Sequence, residues 1–200
     1  MFCQRRAPRL TRQRHGNCTV RTSLSLPRRR STLPHEDLIQ LHRDIRRLQD
    51  IEEIQRLKHA YFRCDDTANF EEMATLLHED FEVNFVGGTY EWRLQGKAAF
   101  MEMTRKSFTA DVVAQHHGHT PEITVLSETE ASGIWYLHDN FWNLKSKRYT
   151  HGTALYRDRY VKENGRWLLR ASAYERIYEI VEPLVTPPNF TVRYLAKRFG

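Results

Sequence analysis

Between residues 112 and 181 four long strand-like stretches follow one another with only short turns between them (about 112–126, 131–144, 147–162 and 166–181). The last two meet at Glu163-Asn164-Gly165. An Asn-Gly pair favours the primed turns of β-hairpins, because both central residues take positive φ there. Long strands joined by such turns make an antiparallel sheet, and a sheet of this length must bury one face against something. The chain has 200 residues, enough for one domain with a real core. Its ten Phe, nine Tyr and four Trp suit a curved sheet around a roomy apolar interior.

The preceding residues carry the helical period. Leu38, Leu41, Ile45 and Leu48 form one stripe, and Ile51, Ile54, Leu57, Tyr61 and Cys64 continue it. Asp50 followed by Glu53 resembles a capping box that restarts or continues the helix, which should end near Asp65–Asp66. A short helix is expected from Asn69 to Leu77, with Phe70, Met73, Leu76 and Leu77 inward. Residues 81–86 (FEVNFV) then alternate as a strand, Gly87-Gly88 turn the chain into a second near 89–94, and Gly96 to Phe108 reads as another helix. The expected fold is α+β: a cone-shaped, strongly curved antiparallel sheet closed by N-terminal helices, with a single mouth. The segment after Val181, with its Pro-Pro, is expected to cover that mouth or a neighbouring subunit.

Charge divides the chain. Residues 1–34 hold nine of the 31 basic residues and none of the 25 acidic ones, so residues 35–200 carry 22 against 25, a net of −3. The formal +6 therefore belongs to a tail, and a nucleic-acid partner would rest on that tail alone. The tail is rich in Arg, Ser and Thr and lacks the apolar core of a secretory signal. A disordered arm, a transit peptide or a start codon placed too far upstream each fit it, and the first is favoured over targeting because composition alone is weak evidence for an address. The domain is expected at residues 35–182 and a C-terminal tail at 183–200. No apolar run approaches the ~18–20 residues of a membrane span. Cys3, Cys18 and Cys64 are too few and too scattered for a disulfide framework or zinc spacing. A reducing, cytoplasmic location follows, with organelle targeting the lesser alternative.

Several polar residues stand where apolar ones would serve a core better. Asp139 shares a strand face with Ala131, Gly133, Trp135, Leu137 and Phe141 and so points inward. A buried carboxylate must be paired or protonated, and a histidine is the natural partner. His116 and Gly118 share one face of their strand; His117 and His119 share the other. Arg176 alternates with Ser172, Tyr174 and Tyr178. Tyr61 lies near the end of the long helix, just before Asp65 and Asp66. The bland readings are helix caps for the two Asp, ordinary strand residues for the histidines and core filling for Tyr61. The histidines lack an evident third ligand for a metal.

Four ordered stretches carry a family resemblance: DIEEIQRLKHAYFRCDD (50–66), HHGHTPEITV (116–125), GIWYLHDNF (133–141) and GRWLLRASAYERIYE (165–179). Together they resemble the SnoaL-like group of the nuclear-transport-factor-2-like superfamily, and within it bacterial bile-acid 7α-dehydratases. The resemblance covers roughly 50–180. It implies a pocket carried by Tyr61, Asp66, His116, Asp139 and Arg176, with His119, Trp135 and Tyr174 against the substrate. It implies loss of water from a steroid-like or other polycyclic enone. His116 would be general base, Asp66 or Asp139 its orienting carboxylate, and Tyr61 a donor to the enolate oxygen or the leaving hydroxyl. Arg176 would position an anionic substrate group or fix one of the Asp residues. No metal or redox cofactor is required by that chemistry. Isomerisation or ring closure in the same pocket, or passive binding of a hydrophobic ligand, are the alternatives. The implied partners are a small hydrophobic substrate, anionic or CoA-linked among the options, and further copies of the chain as a dimer or trimer. Residues 84–112 and those after Glu179 depart from the family pattern, and these should shape the mouth.

Overall fold

The computed structural model describes residues 34–186 and 188–200; the basic arm, with Cys3 and Cys18, lies outside the described residues. The elements run α1 (His35–Thr67), α2 (Phe70–Leu76), β1 (Leu77–Val86), β2 (Glu91–Gln95), α3 (Lys97–Ser107), β3 (Val112–Val125), β4 (Glu130–Asn143), β5 (Arg148–Glu163), β6 (Arg166–Pro183) and α4 (Tyr194–Phe199). The six strands form one open, curved sheet in the order β2-β1-β6-β5-β4-β3. All neighbours pair antiparallel except β1 and β6, which run parallel, so the sheet is mixed rather than wholly antiparallel. The reason is connectivity: the β1–β2 hairpin precedes α3, and the chain then builds β3 to β6 from the far edge inward. The β5–β6 turn is the expected hairpin, with Asn164 at φ 50 and Gly165 at φ 76.

Helix α1 is continuous through Asp50, with no new start there. Asp50 instead accepts hydrogen bonds from Lys162 Nζ at 2.5 Å and Trp167 Nε1 at 2.9 Å, tying the middle of the helix to the β5–β6 hairpin. Beyond that anchor Ile54, Leu57, Lys58, Tyr61, Phe62, Cys64 and Asp65 are buried against the concave face. Before it, Leu38, Leu41, Ile45 and Leu48 keep their helical spacing but stay exposed. The helix closes with Ala68 in the left-handed region (φ 49), its N–H on the Asp65 carbonyl, and Asn69 caps α2 through the Glu72 N–H. The C-terminal segment folds back: Phe190 packs edge-on against Trp142, Phe199 stacks on Phe70 and Leu195 is buried. Among the described residues no helix is long and apolar enough to cross a membrane.

Gly118 governs how closely α1 approaches β3. A Cβ there would lie 2.0 Å from Cε2 of Phe62, so the Phe62 ring rests on bare strand backbone. Phe62 is 5 % exposed and cannot swing into solvent without emptying its site. Gly118→Ala is therefore expected to cost ~1–3 kcal/mol by overpacking. It should also loosen whatever the next helical turn presents to β3. Thermal denaturation measures the first effect; the titration of His116, followed by NMR, measures the second.

Candidate active site

The helical turn after Phe62 carries Asp66, and it meets His116 two residues before Gly118 on β3. Asp66 Oδ2 accepts the His116 backbone N–H at 3.0 Å, and Oδ1 lies 2.6 Å from His116 Nδ1. One carboxylate thus holds both the strand and the ring. With Nδ1–H donated to Asp66, the lone pair of the neutral imidazole sits on Nε2. Phe62 stacks on the ring on one side and Phe108 leans against it. Of the two carboxylates open as His116's partner, the structure selects Asp66.

Asp139 stands directly across the β3–β4 ladder from His116 and is 4 % exposed, but its partner is not the histidine. Arg176 reaches it from β6 in a two-pronged pair, Nη1–Oδ1 at 2.5 Å and Nη2–Oδ2 at 2.8 Å. That geometry lets a buried carboxylate keep its charge. Nε of Arg176 donates to the Tyr90 hydroxyl at 3.2 Å, and Tyr90 shares a short hydrogen bond with the Tyr174 hydroxyl. Simple alternation would place Tyr178 beside Arg176. Instead the β5–β6 register shifts at Ile177, which turns Tyr178 outward (45 % exposed) and brings Glu179 in, 3.6 Å from Arg176 Nε.

These groups border one cavity of about 370 Å³, walled by Tyr90, Trp92, Phe108, His116, Asp139, Phe141, Tyr174 and Arg176, with Thr89, Asn143, Ser146, Arg148 and Thr150 also in its lining. The size suits a small-molecule site. Of the residues expected from the sequence, His116, Asp139, Tyr174 and Arg176 line it, and Asp66 stands behind His116. Three do not face it. Tyr61 is 1 % exposed, packed between Phe62 and Phe100 behind the wall. Trp135 does not touch a substrate space: it is fully buried and donates to Tyr160, because its alternation points it into the core beneath α1. His119 lies on the outer face, exposed and stacked on Tyr136, since an odd spacing from His116 puts it on the other side of the strand.

Two groups had no assigned role in the sequence. Tyr90 and Trp92 come from the stretch expected to shape the mouth, but only their aromatic character in a strand marks them individually. Lys58 lies at the flank of the apolar stripe of α1, where a lysine normally snorkels to solvent. Here it is fully buried, 2.8 Å from Asp158, with its ammonium 3.8 Å from the Tyr156 ring centroid. Asp158 also accepts from Tyr160 at 2.8 Å and Ser172 at 2.7 Å.

Burial and charge set the protonation states. Burial alone would lower the His116 pKa, but the hydrogen bond and charge of Asp66, helped by Asp65 and Asp139, raise it above the ordinary imidazole value. Burial pushes the neighbouring Asp65 carboxyl up to about 7, with His116 and Lys58 opposing. Burial also raises the phenols of Tyr90, Tyr174 and Tyr61, so all three are neutral donors near pH 7. The site therefore holds a base fixed by a carboxylate, facing neutral hydroxyls and a paired guanidinium. That is the equipment for moving a proton between carbon and oxygen. Among the described residues no group of three or more His, Cys, Asp or Glu is placed to hold a metal ion.

Residues 46–173 match the family model described as the SnoaL-like domain. Solved structures share the fold. A scytalone dehydratase assignment from Novosphingobium aromaticivorans is 22 % identical, covering 75 % of this chain and 93 % of that one, with a TM-score of 0.61. A type 2 hexachlorocyclohexane dehydrochlorinase is 17 % identical over 74 % of this chain and 99 % of its own, with a TM-score of 0.63. An NTF2-like protein with a cystatin-like fold, also from Novosphingobium aromaticivorans, is 21 % identical over 72 % and 92 %, with a TM-score of 0.59.

Proposed function

Since the chain belongs to the SnoaL-like domain family, we propose that it is a cofactor-independent acid–base lyase, a dehydratase of a polycyclic hydroxy-enone of steroid-like size. The observation that carries this reading is the Asp66–His116 pair, His116 itself bordering a cavity walled by aromatic rings and neutral phenols. His116 Nε2 takes the proton made acidic by the conjugated ketone. Asp66 holds the ring and stabilises the imidazolium that forms. Tyr90 and Tyr174 share one hydrogen bond beside Arg176, so the hydroxyl that accepts within that pair keeps its proton free to donate to the oxygen that gains charge. The imidazolium then returns its proton to the leaving hydroxyl, and water departs. Two structural neighbours bear the names of enzymes that eliminate water or hydrogen chloride, which favours elimination over the isomerase and cyclase alternatives.

A 7-hydroxy-3-oxo-4-ene steroid tests the proposal directly, because losing water lengthens the conjugated system and moves its ultraviolet band to longer wavelength. A band that stays in place while the substrate is consumed points to isomerisation; no consumption of any such enone rejects the enzyme reading. The pH profile carries a second expectation. His116 acts as base only when neutral, and its raised pKa means it is still protonated where a free imidazole, at ~6.5, has titrated. The acidic limb of kcat/KM should therefore rise with pH around a midpoint above ~6.5, and Asp66→Asn, which removes the chief raising partner, should move that midpoint down.

A further inference from the structure

Glu179 on β6 has no part in the proton transfers, yet its two carboxylate oxygens face the two ends of one hydrogen bond in the site. Oε1 accepts the hydroxyl of Thr89, the residue before Tyr90, at 2.9 Å. Oε2 lies 3.6 Å from Nε of Arg176, the group that donates to the Tyr90 hydroxyl at 3.2 Å. The Glu179 side chain is 5 % exposed, and Oε2 has no hydrogen-bond partner among the described residues. We propose, resting on the acid–base reading of the same site, that Glu179 is a positioning residue: it holds Tyr90 and Arg176 in the geometry that leaves a phenolic proton for the substrate oxygen.

The β1–β2 turn is shaped around this carboxylate. Neither Gly87 nor Gly88 takes positive φ, so the turn does not need them for backbone conformation. It needs them for space. A Cβ on Gly87 would lie 2.5 Å from Cε1 of Tyr90 and 2.9 Å from Glu179 Oε2, and one on Gly88 would lie 3.3 Å from Glu179 Oε1. The bulge at Ile177 brings Glu179 to this place; plain alternation from Arg176 would send it to the other face of the sheet. Asp139 takes both Nη atoms of Arg176, which leaves the Nε edge. At 3.6 Å Glu179 is too far to accept that N–H, so it attracts the edge while Tyr90 remains the acceptor. With a lone pair of the Tyr90 oxygen so occupied, the Tyr90 proton goes to Tyr174. The Tyr174 proton, on the cavity wall, is then free for a ligand.

The test uses the full chain and two steroids. A 3-oxo-4-ene steroid without a 7-hydroxyl cannot lose water, and a hydrogen bond to its carbonyl moves the ultraviolet band of the bound ligand to longer wavelength. The 7-hydroxy compound reads turnover. Glu179→Gln keeps the shape and an acceptor for Thr89 but removes the charge beside Arg176. It should reduce the band shift and lower kcat roughly tenfold, the worth of one hydrogen bond to a charged group, with KM little changed. Thr89→Val, at an exposed position, breaks the other contact without burying anything new and should act in the same direction. In a Tyr90→Phe background Glu179→Gln should change neither readout further, because the hydroxyl it positions is gone. A parental band shift and kcat in Glu179→Gln, equal losses with and without the Tyr90 hydroxyl, or a lowered melting temperature as the only change would each overturn the inference. A parent protein that shifts the band but turns over no enone, with the shift reduced by Glu179→Gln, would uphold it and reject elimination. A parent protein that neither shifts the band nor turns over would overturn both.

Discussion

Replacing His116 with alanine is expected to lower turnover of a dehydratable enone by ~10²–10⁴, with the chain still unfolding cooperatively. The position supports loss of function without loss of fold. His116 borders a cavity, and its backbone stays in the β3–β4 ladder whatever its side chain. Asp66→Asn is the sharper variant. An asparagine amide retains the shape but gives up the charge that stabilises the imidazolium. It also permits the other tautomer, in which Nδ1 holds the lone pair and Nε2 carries the proton. Turnover should then fall nearly as far as with His116→Ala, with KM little changed, since Asp66 stands behind the ring. Falls of this size in kcat with an unaltered melting temperature support a catalytic pair. A variant that melts early and regains full rate at low temperature would show that the pair only staples α1 to β3.

The site was legible where periodicity decides orientation. Asp139 inward, His116 with Gly118 on one face and His119 on the other all follow from alternation, and the structure keeps each. Partner choice was not legible. Alternation turns both Asp139 and Arg176 inward, yet whether His116 or Arg176 pairs with Asp139 depends on distances across three strands and a helix that no local pattern encodes. The bulge at Ile177, a backbone irregularity that no residue type announces, hid the outward turn of Tyr178. Likewise the parallel β1–β6 pair depends on where a hairpin docks after an intervening helix, a long-range choice without local code. Apolar spacing in residues 38–48 foretold a helix correctly but not burial, because a stripe records that a surface wants cover and not what lies beside it. Asp50 shows the converse: a plausible capping pattern lost to a tertiary anchor, the paired donors of Lys162 and Trp167.

Lys58 leads to the second large effect. Its side chain and that of Asp158 are both wholly buried, 2.8 Å apart. Burial lowers the lysine pKa, and Asp158 opposes that shift by charge and hydrogen bonding. Deleting the cation alone, as Lys58→Met, leaves Asp158 with hydrogen bonds from Tyr160 and Ser172 but no counter-charge. Such a change is expected to cost ~3–5 kcal/mol, seen as an early urea midpoint. The double variant Lys58→Met/Asp158→Asn should regain most of that loss, because no unpaired charge remains and the amide still accepts from Tyr160 or Ser172. The pair also bears on the site. The ammonium lies 4.6 Å from the Tyr61 centroid and 5.0 Å from that of Phe62, and Phe62 in turn stacks on His116. If the buried cation sets the height of α1 over the sheet, the double variant should be stable yet slower, with a shifted His116 titration. Recovery of stability together with wild-type kcat and an unmoved titration would confine Lys58 to holding the fold. A Lys58→Met protein as stable as the parent would mean that the lysine does not compensate Asp158 at all.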